Sequence, residues 1–184
     1  MRALARSLAL IAAIAAIGAA VLTISPTGSV HAAGARRATI DYAVDGDTLR
    51  VRQPSGSLAY VRLVGIDTPE DVRPGYQVEC GSRAAAASMR RFAPEGASVL
   101  LRRDSVASAT DRYGRTLAHA FVDGRQLEVA QLRRGWAYVY RFEGRRFNGL
   151  ARFERVQRAA RRAHRGIWGL CGGDFHSAEP GVQS

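Results

Sequence analysis

The fold is decided by residues 60–70, which read YVRLVGIDTPE. The first seven of them, Tyr60–Ile66, are rich in Val, Leu, Ile and Tyr, which is typical of a β-strand. Period-two alternation predicts two faces for this strand, with Arg62, Val64 and Ile66 on one and Leu63 and Gly65 on the other. Pro69 forces an extended or turned backbone on the residue before it. We therefore expect Asp67 and Glu70 at the exit of a strand.

Four further short strands are predicted around this one, because their residues have a similar composition and are bounded by turn signals. Two precede it and two follow it: Thr39–Val44, Thr48–Arg52, Ser98–Arg103 and Leu117–Val122. The turn signals are Asp45-Gly46 and Pro54-Ser55-Gly56. They favour antiparallel pairing of the first three strands.

Three helices are predicted, with the bounds Ser82–Phe92, Gln126–Arg134 and Leu150–Arg165. The first begins at a serine that can serve as an N-cap, and the second is closed by Gly135. The third has one apolar stripe, at spacings of three and four residues, and arginines on its other sides. These elements predict an α+β fold, a five-stranded β-barrel of the OB type with three α-helices. The open face of such a barrel is available to nucleic acid.

The composition indicates one globular domain with a basic surface. The chain has 184 residues, of which 47% are hydrophobic and 23% charged, and its net charge is +11. All 27 basic residues are arginines, which weighs against a lysine nucleophile, a Schiff base or a phosphate-loop lysine. Such a charge favours a polyanionic partner, either nucleic acid or an anionic membrane, although a coding bias toward arginine would produce the same count.

The first 32 residues have the pattern of a signal peptide. Arg2 and Arg6 precede the apolar run Leu8–Ile24, and small residues follow at the positions that a signal peptidase reads. An uncleaved anchor is the alternative, since the run is close to the minimum length for a bilayer span. We therefore expect an exported protein, secreted or held at the cell envelope, with a membrane-anchored form as the alternative.

One domain is expected over residues 33–170, followed by a short polar tail, residues 171–184, that we expect to be frayed. The chain has two cysteines, Cys80 and Cys171. An even count in an exported chain favours a disulfide, which would tie the tail to the middle of the chain. Two buried thiols or a metal site are the alternatives, and the lack of a CxxC pair makes zinc a poor candidate.

Carboxylates and arginines cluster in three short segments: Asp45-Gly46-Asp47-Thr48, Arg62–Glu70 and Asp111-Arg112-Tyr113-Gly114-Arg115. Asp47 and Asp67 offer hard oxygen donors at the ends of adjacent strands, which suit Ca²⁺ or Mg²⁺. Arg62 and Arg115 can each hold a phosphate through two hydrogen bonds, and Glu70 can accept a proton from water. A divalent cation and two arginines around one phosphate suit cleavage of a phosphodiester. Each segment alone is common, and only their combination is informative.

Together these three segments resemble the staphylococcal nuclease (thermonuclease) family, secreted Ca²⁺-dependent nucleases of DNA and RNA built on an OB barrel. The resemblance covers about residues 38 to 169. It implies that Asp47 and Asp67 bind Ca²⁺ through their carboxylates and Thr68 through its backbone carbonyl. The ligand set would also admit Mg²⁺ or Mn²⁺.

The resemblance also implies roles for the remaining residues of the three segments. Glu70 would be the general base for the attacking water, while Arg62 and Arg115 would bind the scissile phosphate and its transition state. The 5′-oxygen would depart, which leaves a 3′-phosphate product. Arg112 and Tyr113 match the pair that contacts the terminal phosphate of a bound nucleotide.

Two tyrosines are further candidates for contact with the substrate. The family presents tyrosines to a nucleotide base after the second helix, and Tyr138 and Tyr140 lie in that region here. The alternative is that one of them belongs to the core. The expected partners are DNA and RNA, with a preference for single-stranded or open regions, and no protein partner is implied, so a monomer is expected.

Two other functions remain open. The first is a nucleic-acid-binding module on the same fold that has lost catalysis. The second is an anchored basic protein that acts on anionic lipid or cell-wall polymer. The presence of Arg62, Glu70 and Arg115 favours the enzyme over the binding module.

Overall fold

The structure is a computed structural model that describes residues 34–70 and 78–177. Eight strands are present in this part of the chain: β1 (Ala35–Ala43), β2 (Thr48–Arg52), β3 (Leu58–Leu63), β4 (Ile66–Asp67), β5 (Ser98–Arg102), β6 (Thr116–Val122), β7 (Arg125–Gln126) and β8 (Tyr138–Val139). The helices are α1 (Ser82–Phe92), α2 (Leu127–Arg134), α3 (Leu150–Arg162) and the single turn α4 (Ile167–Leu170). A 3₁₀ turn spans Phe142–Gly144.

Five strands close into a barrel. Their order in the sheet is β3-β2-β1-β5-β6, with the two-residue β7 beyond β6. Parallel pairing of β3 with β6 closes the ring and sets Arg62 opposite Leu117. The prediction of an α+β fold with a five-stranded OB-type barrel is therefore confirmed. The barrel interior is filled by aliphatic side chains from all five strands, among them Ile40, Leu49, Val51, Val61, Leu63, Val99, Ala120 and Val122.

The single strand predicted over Tyr60–Ile66 is wrong in one respect, because β3 ends at Leu63 and β4 begins at Ile66. Gly65 turns the chain between them with a φ of +80°, a conformation that favours glycine. A Cβ on Gly65 would also collide with the ring of Phe147. The predicted alternation breaks at this turn, so that Val64 and Ile66 are buried like Leu63. Arg62 alone of the predicted face points away from the core.

The helices pack on the barrel near the turn between β1 and β2. Helix α2 ends at Gly135 as predicted, with a φ of +77° and its N–H bonded to the carbonyls of the last turn. The buried Gln131 of α2 donates to the carbonyl of Ala85 on α1 at 2.9 Å and to that of Gly46 at 2.9 Å. Helix α3 stops at Arg162, three residues before its predicted end, and α4 follows it.

The expectation of a frayed tail is wrong for residues 171–177. Phe175 is 5% exposed, and its ring packs between those of Trp168 and Tyr138, each at 4.9 Å. Cys171 forms a disulfide with Cys80. The predicted signal peptide and residues 178–184 lie outside the described residues. Within residues 34–70 and 78–177, no helix is both long and apolar enough to cross a bilayer.

Candidate active site

The turn between β1 and β2 positions Asp47. The carboxylate of Asp45 accepts the N–H groups of Asp47 at 2.8 Å and Thr48 at 2.7 Å, which closes the turn locally. A Cβ on Gly46 would lie 2.7–2.9 Å from the side chain of Thr68, so glycine is what lets the two segments meet. The side chain of Asp47 is thereby carried into the interior, where the residue is 1% exposed.

Asp47 is held by hydrogen bonds on both of its oxygens. The hydroxyl of Thr48 donates to Oδ1 at 3.0 Å. The backbone N–H and the hydroxyl of Thr68 donate to Oδ2 at 3.0 and 3.1 Å. These bonds bring the metal-ligand candidates Asp47 and Thr68 together across 21 residues of sequence.

The guanidinium of Arg62 lies between two carboxylates. Its Nη1 is 2.7 Å from Oδ2 of Asp47 and its Nη2 is 2.5 Å from Oδ1 of Asp67. Nη1 also donates to the carbonyl of Ile66 at 3.0 Å. Because both carboxylates reach the same cation, Asp47 and Asp67 point into one small volume, as a shared metal ion would require.

Several carboxylates act on the pKa of Asp47 in the pocket formed by Asp47, Arg62 and Asp67, which we call the acid pocket. Burial raises the pKa of Asp47 well above its ordinary value, and the positive charge of Arg62 opposes that rise. The carboxylates of Asp45, Asp67 and Glu70 raise the pKa of Asp47 further. Arg62 therefore lies beside carboxylates that disfavour each other's charge, and an additional cation would stabilise their charged forms.

The residues present fit a hard divalent cation with a small number of protein ligands. Among the described residues, no three or more His, Cys, Asp or Glu side chains are grouped closely enough to bind a metal. The pocket supplies two carboxylates and no sulfur or imidazole donor, a donor set that suits Ca²⁺, Mg²⁺ or Mn²⁺ rather than zinc. The other ligands would have to be carbonyl oxygen and water.

Tyr138 lies against a metal-ligand candidate rather than at an open position. The β4–β8 pairing sets Tyr138 directly opposite Asp67, and its hydroxyl donates to Oδ2 of Asp67 at 2.8 Å. Burial and the negative charge of Asp67 raise the pKa of Tyr138 strongly. Tyr140 differs, since its residue is 39% exposed. The two tyrosines thus have different surroundings.

Glu70 is fixed by Glu79, a residue that the sequence analysis missed. The N–H of Glu70 donates to Oε2 of Glu79 at 2.7 Å, and the N–H of Glu79 donates to the carbonyl of Glu70 at 3.1 Å. This reciprocal pair holds the backbone that carries the proposed base. The one signal in the sequence was the position of Glu79 next to Cys80, a predicted disulfide partner.

Arg115 immediately precedes β6, which pairs with β3, the strand of Arg62. Its Nε donates to Oδ2 of Asp111 at 2.6 Å, and Oδ1 of Asp111 accepts the N–H groups of Arg115 and Tyr113, both at 2.9 Å. Burial favours a higher pKa for Asp111, but these hydrogen bonds outweigh it and lower the pKa. Asp111 therefore stays charged and orients Arg115.

The pair Arg112 and Tyr113 forms an exposed platform next to Arg115. The guanidinium of Arg112 lies 4.8 Å from the centre of the Tyr113 ring, and that of Arg115 lies 5.4 Å from it. Tyr113 is 68% exposed. A ring and two guanidinium groups at the surface suit contact with a base and a phosphate.

Comparison with known proteins gives a consistent set of relatives. The family model described as "Staphylococcal nuclease homologue" matches residues 60–169. The SPbeta prophage-derived endonuclease YokF of Bacillus subtilis (strain 168) is 36% identical over 105 residues, 55% of this chain and 34% of that protein. Endonuclease YncB of the same organism is 34% identical over 105 residues, 55% of this chain and 48% of that protein.

A thermonuclease of Staphylococcus hyicus is matched over more of its length. It is 30% identical over 125 residues, which are 68% of this chain and 71% of that protein. The chain spans half or less of the two endonucleases, but most of the thermonuclease. Since the family model also covers more than half of the chain, the chain belongs to the staphylococcal nuclease homologue family.

Proposed function

We propose that the chain is a Ca²⁺-dependent nuclease that hydrolyses phosphodiester bonds in DNA and RNA. The observation that carries this proposal is the convergence of Asp47 and Asp67 on the guanidinium of Arg62. The names of the relatives, two endonucleases and a thermonuclease, support the same class of reaction. Mg²⁺ or Mn²⁺ would satisfy the same donors.

The carboxylates of Asp47 and Asp67 and the backbone carbonyl of Thr68 would hold the metal ion. When bound, it supplies positive charge where negative charge builds on the phosphoryl oxygens. Glu70 accepts a proton from the water that attacks phosphorus, at a carboxylate whose backbone Glu79 keeps in place. The bond from phosphorus to the 5′-oxygen breaks, and that oxygen leaves as a hydroxyl once protonated. The products are a 3′-phosphate and a 5′-hydroxyl end.

Two arginines bind the phosphate in this mechanism. Arg62 has five N–H donors, and its described hydrogen bonds to Ile66 and Asp67 use two of them. The remaining donors suit a phosphoryl oxygen. Arg115, oriented by Asp111, binds the same phosphate and stabilises its transition state.

Arg112 and Tyr113 recognise the nucleotide next to the scissile bond. Their exposed ring and guanidinium favour a strand whose bases are accessible, so single-stranded or open regions are the preferred substrates. We propose further that the protein acts outside the cytoplasm as a monomer, either secreted or held at the cell envelope.

The test is digestion of single-stranded DNA and RNA by the chain without residues 1–32. We expect cleavage with Ca²⁺, loss of cleavage with a chelator, and 3′-phosphate ends on the products. Glu70→Gln should bind the nucleic acid and leave it intact, and Glu95→Gln, at an exposed acid outside the site, serves as the matched control. Equal digestion with and without the chelator contradicts the metal-dependent mechanism. Binding without cleavage by the unsubstituted chain would indicate the binding module.

A further inference from the structure

The segment Gly172–Ser177 is fastened beside the acid pocket by covalent and packing contacts. The Cys80–Cys171 disulfide joins residues 91 apart in sequence, with a Cα–Cα distance of 6.2 Å. The N–H of Cys80 donates to the carbonyl of Ser177 at 2.7 Å. Phe175 fills the space between Trp168 and Tyr138. Both ends of the segment are therefore tied to Cys80, and its middle packs against Tyr138 of β8.

His176 of this segment contacts two residues that each hold a proposed site residue. Its Nε2 is 3.2 Å from the hydroxyl of Tyr138, which donates to Asp67. Its Nδ1 is 3.0 Å from Oε1 of Glu79, whose other oxygen accepts the N–H of Glu70. The imidazole of His176 thus lies between Tyr138, which donates to the metal-ligand candidate Asp67, and Glu79, which accepts from the proposed base Glu70.

The direction of these hydrogen bonds follows from the available donors. Tyr138 has a single O–H, which it gives to Asp67, so its oxygen can only accept a hydrogen from His176. A carboxylate has no hydrogen to donate, so Glu79 accepts from Nδ1. Both contacts of His176 are made at once when both ring nitrogens carry hydrogen. The chain of bonds then runs without conflict from Glu70 to Asp67.

We propose that Gly172–Ser177 is a working part of the active site, in which His176 is a positioning residue for Asp67 and Glu70. This inference rests on the proposed nuclease function and names residues outside the three segments that carry it. His176 touches neither the metal ligands nor the substrate. It acts through Tyr138 on the orientation of Asp67, and through Glu79 on the backbone of Glu70.

The physical basis is the cost of orienting a ligand. A carboxylate that is held by a hydrogen-bonded neighbour binds metal more tightly, and loss of such a neighbour lowers metal affinity by roughly 10–100-fold. Tyr138 is the direct neighbour of Asp67, so its hydroxyl should have an effect at about the lower end of that range. His176 is one hydrogen bond further away and its side chain is 57% exposed, so its effect should be smaller.

The test measures Ca²⁺ binding by titration calorimetry on the chain without residues 1–32. We expect Tyr138→Phe to raise the dissociation constant about tenfold and His176→Ala to raise it roughly threefold. In the Tyr138→Phe background, His176→Ala should change the dissociation constant no further, because the route to Asp67 is already cut. His176→Gln, whose amide can still donate to Tyr138, should restore most of the affinity.

Kinetics on single-stranded DNA test the contact of His176 with Glu79. Loss of the Glu79 contact should lower kcat in His176→Ala and Glu79→Ala, while the KM for DNA stays the same, since neither residue binds substrate. Ser177→Ala is the matched control, because that hydroxyl bonds only within the segment, to the carbonyl of Asp174 among its described contacts. The control should match the unsubstituted chain in both measurements.

Several outcomes would overturn the inference. One is a Ca²⁺ dissociation constant and a kcat in His176→Ala that equal those of the unsubstituted chain. Another is a loss of Ca²⁺ affinity on His176→Ala that is equally large in the Tyr138→Phe background and that His176→Gln does not restore. That result would show a merely structural effect. If the unsubstituted chain neither binds Ca²⁺ nor cleaves DNA, the proposed function fails and takes the inference with it. Normal activity with unaffected variants overturns the inference alone.

Discussion

Two regions of the molecule place one cation between two carboxylates. In the acid pocket, Arg62 lies between Asp47 and Asp67, at 2.7 and 2.5 Å. On the other side of β6, the imidazole of His119 lies between Asp104 at 3.0 Å and Glu128 at 2.6 Å. We call the second group the histidine cluster. The two resemble each other in pairing and differ in what surrounds them.

The histidine cluster is closed on itself. Its two carboxylate side chains are 0% exposed, and His119 packs against the rings of Phe147 and Phe153. Asp104 also accepts backbone N–H groups from three residues, Val106, Ala107 and Asn148, at 2.6–2.9 Å. Burial favours a higher pKa for Asp104, but these bonds and His119 lower it.

The difference shows what separates a structural ion cluster from a binding site. In the histidine cluster Asp104 is satisfied by fixed donors of the fold, which tie two loops to the barrel, while Oε2 of Glu128 has no hydrogen-bond partner among the described residues. In the acid pocket burial raises the pKa of Asp47, and the neighbouring carboxylates raise it further. Carboxylates that disfavour each other's charge, rather than the ion pair itself, are the feature that suits an external cation.

The largest expected effect is on catalysis, in the acid pocket. Glu70→Gln should lower kcat by roughly 10²–10⁴-fold, because the attacking water loses its proton acceptor. The free energy of unfolding should change little, since the backbone contacts of Glu70 with Glu79 remain. Single-turnover cleavage and urea unfolding measure the two quantities. A kcat close to that of the unsubstituted chain would remove Glu70 from the mechanism.

The next effect is on stability, in the histidine cluster. His119→Ala leaves two buried carboxylates without their shared partner and should lower the free energy of unfolding by about 3–5 kcal/mol. The kcat per folded molecule should stay the same, because no described hydrogen bond of the cluster reaches Asp47, Arg62 or Asp67. Chemical denaturation and activity at a temperature where the variant is folded test this. A fall in kcat of the folded variant would contradict the separation of the two regions.

A smaller effect should come from the cation itself. Ca²⁺ at about a hundred times its dissociation constant should stabilise the fold by roughly 2.7 kcal/mol. Asp67→Asn should abolish most of that gain, whereas a variant of the histidine cluster such as His119→Gln should retain it. Thermal unfolding with and without Ca²⁺ measures both. An equal gain in Asp67→Asn would place the bound cation elsewhere.

The smallest effect concerns pH. Burial lowers the pKa of His119, but Glu128 and Asp104 outweigh burial and raise the pKa above its ordinary 6.5. The stabilisation that charged His119 contributes to the folded state is complete below pH 6.5. It is lost as the pH rises through the raised pKa of the folded state. The stabilisation that follows from the lowered pKa of Asp104 is complete above the ordinary pKa of 3.8. It is lost as the pH falls through the lowered pKa.

The cluster therefore contributes fully between pH 3.8 and 6.5. Urea unfolding at about pH 5 and about pH 9 should show a larger loss in the unsubstituted chain than in His119→Gln. An identical loss in both would show that other groups carry the dependence on pH.

Local patterns in the sequence predicted the strands of the barrel but not the break between β3 and β4. Val, Leu and Ile at short spacing identified all five barrel strands, and Gly135 identified the end of α2. The break at Gly65 was missed, because the ring of Phe147 that requires it lies far away in sequence. Residue types within a strand carry no information about such distant contacts.

The residues of the candidate site likewise fall into those that local motifs indicate and those that depend on distant contacts. Asp47, Arg62 and Asp67 were identified because they lie in short segments with recognisable spacing. Tyr138, a candidate for base contact or for the core, donates to Asp67 across 71 residues, and His176 contacts Glu79 across 97. These contacts depend on the pairing of β4 with β8 and on the disulfide. Neither the partner of a two-residue strand nor the course of a tail can be read from periodicity.

The disulfide has a topological consequence. With residues 81–170 it forms a covalent ring that contains β5, β6, α2 and α3. Asp47, Arg62 and Asp67 lie outside the ring, while Arg115 and Tyr138 lie within it. A single peptide-bond cut between β5 and β6 therefore opens the ring without dividing the molecule. The candidate site residues on either side of the cut stay in one covalently linked molecule, so a nicked protein can refold as a unimolecular reaction.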